Sequence, residues 1–176
     1  MSKFFVSALL LASALAFGVA PAEALQVSVT NIDKNSDGTM TYHFAVRLDQ
    51  GEVLTPKADF VTVYNFAGMT GTAKAPPGWV FSSEDFGRTP TWAGYPAVMP
   101  VDVPGLTNLT FTPTRPVTSA ALIDGFAATT RITTTTEGEY SAQVTREQSA
   151  VTGAGVRPTK QALIGQLPTP GFLMIQ

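Results

Sequence analysis

Residues 39–48 read TMTYHFAVRL, and this stretch decides the fold class. Apolar side chains occupy every second position from Met40 to Leu48, and threonine, histidine, alanine and arginine stand between them. Successive side chains of a β-strand point to opposite faces of a sheet. Strict alternation over the ten residues 39–48 therefore predicts a strand with one buried face and one polar face.

A second alternating run precedes this strand. Leu25, Val27 and Val29 alternate with polar residues, and residues 33–38 (DKNSDG) lie between the two runs. Asparagine, serine, aspartate and glycine favour turns because they hydrogen-bond to their own backbone or tolerate positive φ. The two runs predict a β-hairpin with a longer loop.

The rest of the chain supplies further strands. Residues 59–66 (DFVTVYNF) are apolar on both faces, which is typical of a central strand. Shorter strands are predicted at residues 79–82, 106–112, 120–123, 126–134 and 139–146, where β-branched and aromatic residues are frequent. With turn signals between them, these strands predict an all-β fold, an antiparallel β-sandwich of immunoglobulin-like or jelly-roll-like type, after an N-terminal signal helix.

The N-terminus predicts export. Residues 1–24 combine an early lysine, an apolar run from Phe4 to Ala20 and an A-x-A pattern at 22–24, as in a signal peptide cleaved after Ala24. A retained membrane anchor is the alternative. With cleavage, the protein is expected to be extracellular or periplasmic, without a membrane span in the mature chain.

Two further regions follow the signal peptide. Residues 25–150 are predicted to form the sandwich domain and residues 151–176 a C-terminal tail. The tail contains Ala162–Ile164 and Phe172–Ile175, which are too apolar to remain solvated, so part of it is expected to dock on the domain as an edge strand or across one end. A partner-binding or membrane-binding segment is the alternative.

Composition limits the partners. The chain has no cysteine, so it forms no disulfides. Its 11 lysines and arginines against 13 acidic residues give a net charge of −2. Such a balance offers no basic surface for nucleic acid or an anionic membrane, and neither partner is expected.

The acidic turn resembles the opening of a calcium loop. Asp33, Asn35 and Asp37 have the spacing of the first three ligands, but Phe44 stands at the twelfth position, where such loops carry a bidentate glutamate. Strands rather than helices flank the loop. A plain turn is favoured, and a weak calcium site formed by these three side chains is the alternative; no other cofactor is expected.

Catalytic sets are incomplete. His43 is the one histidine, and without cysteine it makes a zinc site improbable. It is expected to be a solvated strand residue without an acidic partner. The acids Glu84, Asp85 and Asp102 surround a loop at 84–105, but no supporting motif accompanies them for glycoside hydrolysis. The chain is therefore expected not to be an enzyme.

Aromatic residues gather around the same proline-rich loop. Trp92 and Tyr95, with Trp79 as a weaker candidate, could stack on sugar rings, since binding residues collect on loops. The alternative is that these rings seal the sandwich, which is favoured for Trp79. Phe86, Trp92 and Tyr95 are expected to hold the loop in place.

Several stretches together resemble a family. They are residues 59–71 (DFVTVYNFAGMTG), 76–90 (PPGWVFSSEDFGRTP), 108–117 (NLTFTPTRPV) and 123–130 (IDGFAATT). They resemble exported bacterial proteins of the PEP-CTERM class, over about residues 40–146. Asn65 stands where that pattern often has aspartate, and Pro113–Pro116 replaces a tyrosine-glycine pair. The class normally ends in a C-terminal sorting signal, whereas this sequence ends LPTPGFLMIQ.

The resemblance implies an exported protein from exopolysaccharide-producing bacteria and supplies no catalytic residues. The predicted function is a non-enzymatic structural or extracellular-matrix interaction role, with polysaccharide or cell-surface matrix as the partner. The alternative is a carbohydrate-binding module that uses Trp92, Tyr95 and Trp79.

Overall fold

The computed structural model describes residues 25–90, 99–118, 121–148 and 157–172, and every regular element within them is a β-strand. The strands are β1 (Gln26–Lys34), β2 (Met40–Arg47), β3 (Glu52–Leu54), β4 (Phe60–Phe66), β5 (Trp79–Glu84), β6 (Thr107–Pro113), β7 (Val117–Thr118), β8 (Leu122–Thr130), β9 (Thr135–Gln148) and β10 (Arg157–Pro170). No helix in these residues is long and apolar enough to cross a membrane. The predicted signal peptide, including Ala24, lies outside the described residues.

The strands form two antiparallel sheets that pack as a β-sandwich, which confirms the predicted fold class. The smaller sheet has the order β1-β2-β8. The larger sheet has the order β5-β6-β4-β9-β3-β7, and β10 pairs with β9 off that path. The large sheet positions the candidate site, because β4, β9 and β10 meet at one of its ends.

The β1–β2 hairpin follows the alternation that predicted it. Lys34 pairs with Met40 across the turn, and Tyr42, Phe44 and Val46 are buried between the sheets. Ala45 is buried as well, although alternation places it on the polar face. The register against β8 shifts between Phe44 and Val46, and such a bulge turns two consecutive side chains away from strict alternation.

Strand β4 is central, as its two apolar faces predicted, with β6 on one side and β9 on the other. Its inner face contributes Val61 and Val63 to the core. Its outer face is covered by the loop after β5, where Tyr64 OH donates a hydrogen bond to the Arg88 carbonyl at 3.0 Å. The Arg88 guanidinium lies 4.2 Å from the centre of the Phe60 ring.

Aromatic rings fill the space between the sheets. Phe126 of β8 makes edge contacts with Trp79 of β5 and Phe111 of β6, each with ring centroids 5.0 Å apart. Tyr42 and Phe66 make a similar contact at 5.5 Å. These rings join the small sheet to the large one, so the core depends on both sheets at once.

Several strands differ from their predicted extents: β5 ends at Glu84 and not at residue 82, and β9 covers Thr135–Gln148 and not only 139–146. The strands predicted at 120–123 and 126–134 correspond to the single strand β8. Gly125, at φ +89°, lies within this strand and does not end it. The short β3 and β7 were not predicted, since three and two residues are too few to show a periodicity.

Residues 157–170, within the segment predicted as a tail, form an edge strand. β10 pairs with β9 from Arg157–Gln148 to Pro170–Thr135. Its three prolines suit an edge position, where a missing N–H donor is tolerated. Leu163 and Leu167 pack against the core.

Candidate functional site

A groove at one end of the large sheet is lined by both apolar and polar residues. One wall is the segment 101–106, and the other combines residues 136–139 of β9 with the end of β10 and Phe172. Its volume is about 640 Å³, within the range of small-molecule sites. We call it the end groove.

A network of side-chain amides holds the wall formed by 101–106. Asn65, at the end of β4 with φ 55°, donates from Nδ2 to the Val101 carbonyl and accepts at Oδ1 from the Val103 N–H at 2.8 Å. Asparagine tolerates this left-handed backbone better than most residues. Asn65 thereby fixes Val101 and Val103 of the groove wall to the sheet.

Asn108 and Asp102 extend the network. Asn108 is fully buried; its Oδ1 accepts from the Asn65 N–H at 2.9 Å, and its Nδ2 donates to Asp102 Oδ1 at 2.9 Å. The other Asp102 oxygen accepts from the Gly87 N–H at 2.6 Å. Both arms of the loop, at 87 and at 101–103, are therefore tied to the ends of β4 and β6.

The opposite wall brings carboxylates to the groove. Glu139 of β9 accepts a hydrogen bond from the Val101 N–H at Oε2, at 2.7 Å, and so joins the two walls. Glu137 and Gln166 also line the groove and are exposed. Val101, Val103 and Phe172 expose apolar surface beside them, and the Phe172 side chain is 64% exposed. The groove thus offers apolar contacts next to strong hydrogen-bond acceptors.

The predicted aromatic candidates fall in different places. Trp79 is 8% exposed and packs edge-on against Phe126, so it is a core residue whose ring faces are not available to a ligand. Trp92 and Tyr95 lie outside the described residues. Phe86 was predicted to hold the loop, and this was wrong: it is 70% exposed, and hydrogen bonds of Asp102 and Asn108 hold the loop instead.

Sequence reasoning missed Phe172 as a candidate binding residue. It was assigned to an apolar tail, and its place beside 101–106 depends on the pairing of β10 with β9. Its one signal in the sequence is the preceding Pro170-Gly171 pair, which ends the strand.

The acidic turn uses its side chains locally. Asn35 Nδ2 donates to the hydroxyls of Thr39 and Thr41, each at 2.9 Å. Asp37 Oδ1 accepts from the Thr39 hydroxyl at 2.7 Å and from the Thr39 N–H at 3.0 Å. These two bonds, the hydroxyl first, hold the pKa of Asp37 below its ordinary value. Within the described ranges no three acidic or histidine side chains converge as a metal site would require.

His43 has an acidic partner, contrary to the sequence-based expectation. Its Nε2 lies 2.9 Å from Asp33 Oδ2, and Asp33 Oδ1 accepts from Asn31 Nδ2 at 2.7 Å. The pair is about half exposed and lines a shallow depression with Asp124 and Thr30. The Thr30 hydroxyl donates to the His43 carbonyl at 3.3 Å, so it is directed at the backbone and not at the imidazole.

The acids flanking the loop also differ in their roles. Asp102 uses both oxygens to hold the loop, as described above, and Glu84 accepts a hydrogen bond from the Ser82 hydroxyl at 3.2 Å. Asp102 therefore has a structural role, and Glu84 is a surface carboxylate.

No protein-family model matches the chain, and neither the curated proteins nor the solved structures contain a significant match to it.

Proposed function

We propose that the chain is an exported β-sandwich protein that binds an extracellular matrix polysaccharide in the end groove and does not alter it chemically. The observation that carries the proposal is the composition of the groove, in which Phe172 and Val101 expose apolar surface next to Glu137 and Gln166. A pyranose ring has an apolar C–H face and a rim of hydroxyls, and this surface complements both.

Charge narrows the ligand class. Glu137 and Glu139 line the groove, and a carboxylate accepts strong hydrogen bonds from hydroxyl or ammonium groups. The same carboxylates repel uronic acids or sulfate esters. Neutral polysaccharides and those with free amino groups are therefore the expected ligands.

Rigidity supports binding. The Asn65, Asn108 and Asp102 hydrogen bonds fix the wall of the groove before a ligand arrives, so little conformational entropy is lost on binding. Glu139 holds Val101 through Oε2 and therefore contributes to the shape of the groove. The resemblance to the PEP-CTERM class is a further, independent reason to expect an exported role in matrix.

Affinity electrophoresis in gels with neutral, amino-containing or acidic polysaccharides tests the proposal. Retardation by a neutral or amino-containing polymer is expected, and Phe172→Ala should weaken it about five- to tenfold, which corresponds to about 1 kcal/mol of lost contact. Phe86→Ala is the matched control, because Phe86 is exposed to a similar extent but does not line the groove.

Three results would contradict the proposal: no retardation by any polymer, equal retardation of wild type and Phe172→Ala, or retardation by acidic polymers alone. Shortening of the polymer during incubation would show that the protein is an enzyme.

A further inference from the structure

Glu52 is a fully buried carboxylate at the start of β3. Its Oε2 accepts from the Asp49 N–H at 2.8 Å, and its Oε1 accepts from the backbone nitrogen of Leu25 at 3.1 Å. The Asp49 bond closes a turn in which the Glu52 N–H donates to the Asp49 carbonyl at 3.2 Å. The Leu25 bond connects residues 27 positions apart in sequence.

Burying the Glu52 carboxylate costs free energy if the groups that donate hydrogen bonds to it are neutral amides. Removing an ion from water costs several kcal/mol, which nearby opposite charge offsets. In the uncleaved chain the Leu25 and Asp49 nitrogens that donate to Glu52 are both backbone amides. A positive charge at the Leu25 nitrogen would match the buried carboxylate.

Leu25 is also the residue at which the A-x-A pattern predicts that the mature chain begins. Hydrolysis of the Ala24–Leu25 peptide bond by water gives a carboxylate on Ala24 and an amine on Leu25. That amine takes up a proton at neutral pH, because α-amino groups have pKa values near 7.7–8.0. The nitrogen that donates to Glu52 as an amide thereby becomes an ammonium with three donors.

We propose that Glu52 is the binding site for the α-ammonium of processed Leu25, so that signal-peptide cleavage replaces a neutral hydrogen bond by a buried ion pair. The Leu25 side chain is buried in the core, and the next residue, Gln26, pairs with Arg47 of β2. These two contacts hold the Leu25 nitrogen beside Glu52. Cleavage one residue earlier would place the charge on the Ala24 nitrogen and leave the Leu25 nitrogen that contacts Glu52 a neutral amide. The inference rests on cleavage after Ala24 and is independent of the polysaccharide proposal.

Two chains test the inference, one released from a fusion with Leu25 as its first residue and one that retains Ala24. We expect the Leu25 chain to melt about 5 °C higher, since each kcal/mol shifts Tm by about 2–4 °C at this size. Glu52→Gln, made in both chains, should abolish the difference. Equal melting temperatures of the unsubstituted chains, or a difference that persists with Glu52→Gln, would overturn the site.

Amine labelling gives a second readout that does not depend on the stability of a variant. The Leu25 α-amine of the folded protein should react with an acylating reagent at least tenfold more slowly than the Ala24 α-amine of the longer chain, because it is buried and protonated beside Glu52. Equal labelling rates would overturn the proposal. So would N-terminal sequencing of exported protein that shows a first residue other than Leu25.

Discussion

At the scale of single residues, the contacts that sequence could predict are the local ones. Asn35, Asp37 and Thr39 form the turn that residues of these types favour, and their hydrogen bonds span six residues or fewer. The pair of His43 with Asp33 is different, because it joins two strands. The register of β1 on β2 shifts between Val29 and Asn31, and a sequence does not reveal such a shift.

Asp37 provides a test of the turn by pH. The Thr39 hydroxyl and N–H hold the pKa of Asp37 below its ordinary value. A depressed pKa in the folded state means that the stabilisation is present above the pKa of the unfolded chain, about 3.9, and is lost as the pH falls through the folded value. Asp37→Asn should therefore lower Tm at pH 7 and have a smaller effect below about pH 4.

Thermal melts from pH 7 to pH 2.5 measure this difference. Thr39→Val, which removes the hydroxyl donor, should reproduce the trend. A Tm difference between wild type and Asp37→Asn that is constant with pH would contradict it.

At the scale of strands, β10 is held by side-chain contacts in addition to its backbone hydrogen bonds with β9. Lys160 Nζ lies 2.5 Å from Oδ1 of the fully buried Asp59, whose Oδ2 accepts from the Thr55 N–H at 2.7 Å and from the Thr145 hydroxyl at 2.8 Å. Further along, the Tyr140 ring lies over Gly165, where a Cβ would come within 2.4 Å of it. Burial of this ring raises the pKa of the Tyr140 hydroxyl.

Lys160→Met should destabilise the protein by about 3 kcal/mol. The change leaves the Asp59 carboxylate buried without its cation, and breaking a buried pair typically costs about 3–5 kcal/mol, with the lower end expected because a third of the Lys160 side chain is exposed. Urea unfolding measures the loss. Gln166→Ala, at an exposed position of the same strand, is the control and should change stability by less than about 0.5 kcal/mol.

Equal effects of the two substitutions would mean that Lys160 does not hold β10. Faster proteolysis within β10 of the Lys160→Met variant, by contrast, would locate the loss at this strand.

Strands with a clear hydrophobic pattern could be predicted from the sequence, and strands without such a pattern could not. The alternation of β2 and the two apolar faces of β4 were sufficient, whereas Gly125 suggested a break that β8 does not have. The outer face of β4 is apolar because residues after β5 cover it, and Arg88 is the residue that contacts Phe60 and Tyr64 there. The periodicity of the sequence does not show which segment covers a strand.

At the scale of the whole molecule, the end groove could not be predicted from sequence. It joins residues near 65, 101–106, 136–139 and 166–172, which come together only through the order of strands in the large sheet. Fold class depends on periodicity within each strand, and the groove depends on the topology that connects them.

The sandwich itself depends on contacts between the sheets, and Phe126 tests them. It is 1% exposed and is the ring of the small sheet that contacts both Trp79 and Phe111 of the large sheet. Phe126→Ala should cost about 3–5 kcal/mol, because it removes these contacts and leaves a cavity that two rigid sheets cannot close. Urea unfolding followed by tryptophan fluorescence measures the loss.

Leu122→Ala is the matched control, since Leu122 lies in the same strand but is exposed. Its effect should stay within about 0.5 kcal/mol. A loss for Phe126→Ala no larger than that of the control would mean that the two sheets are not held together by this ring cluster. An unchanged dependence of unfolding free energy on urea in both variants would show that the sandwich still unfolds as one unit, because that slope reports the surface exposed on unfolding.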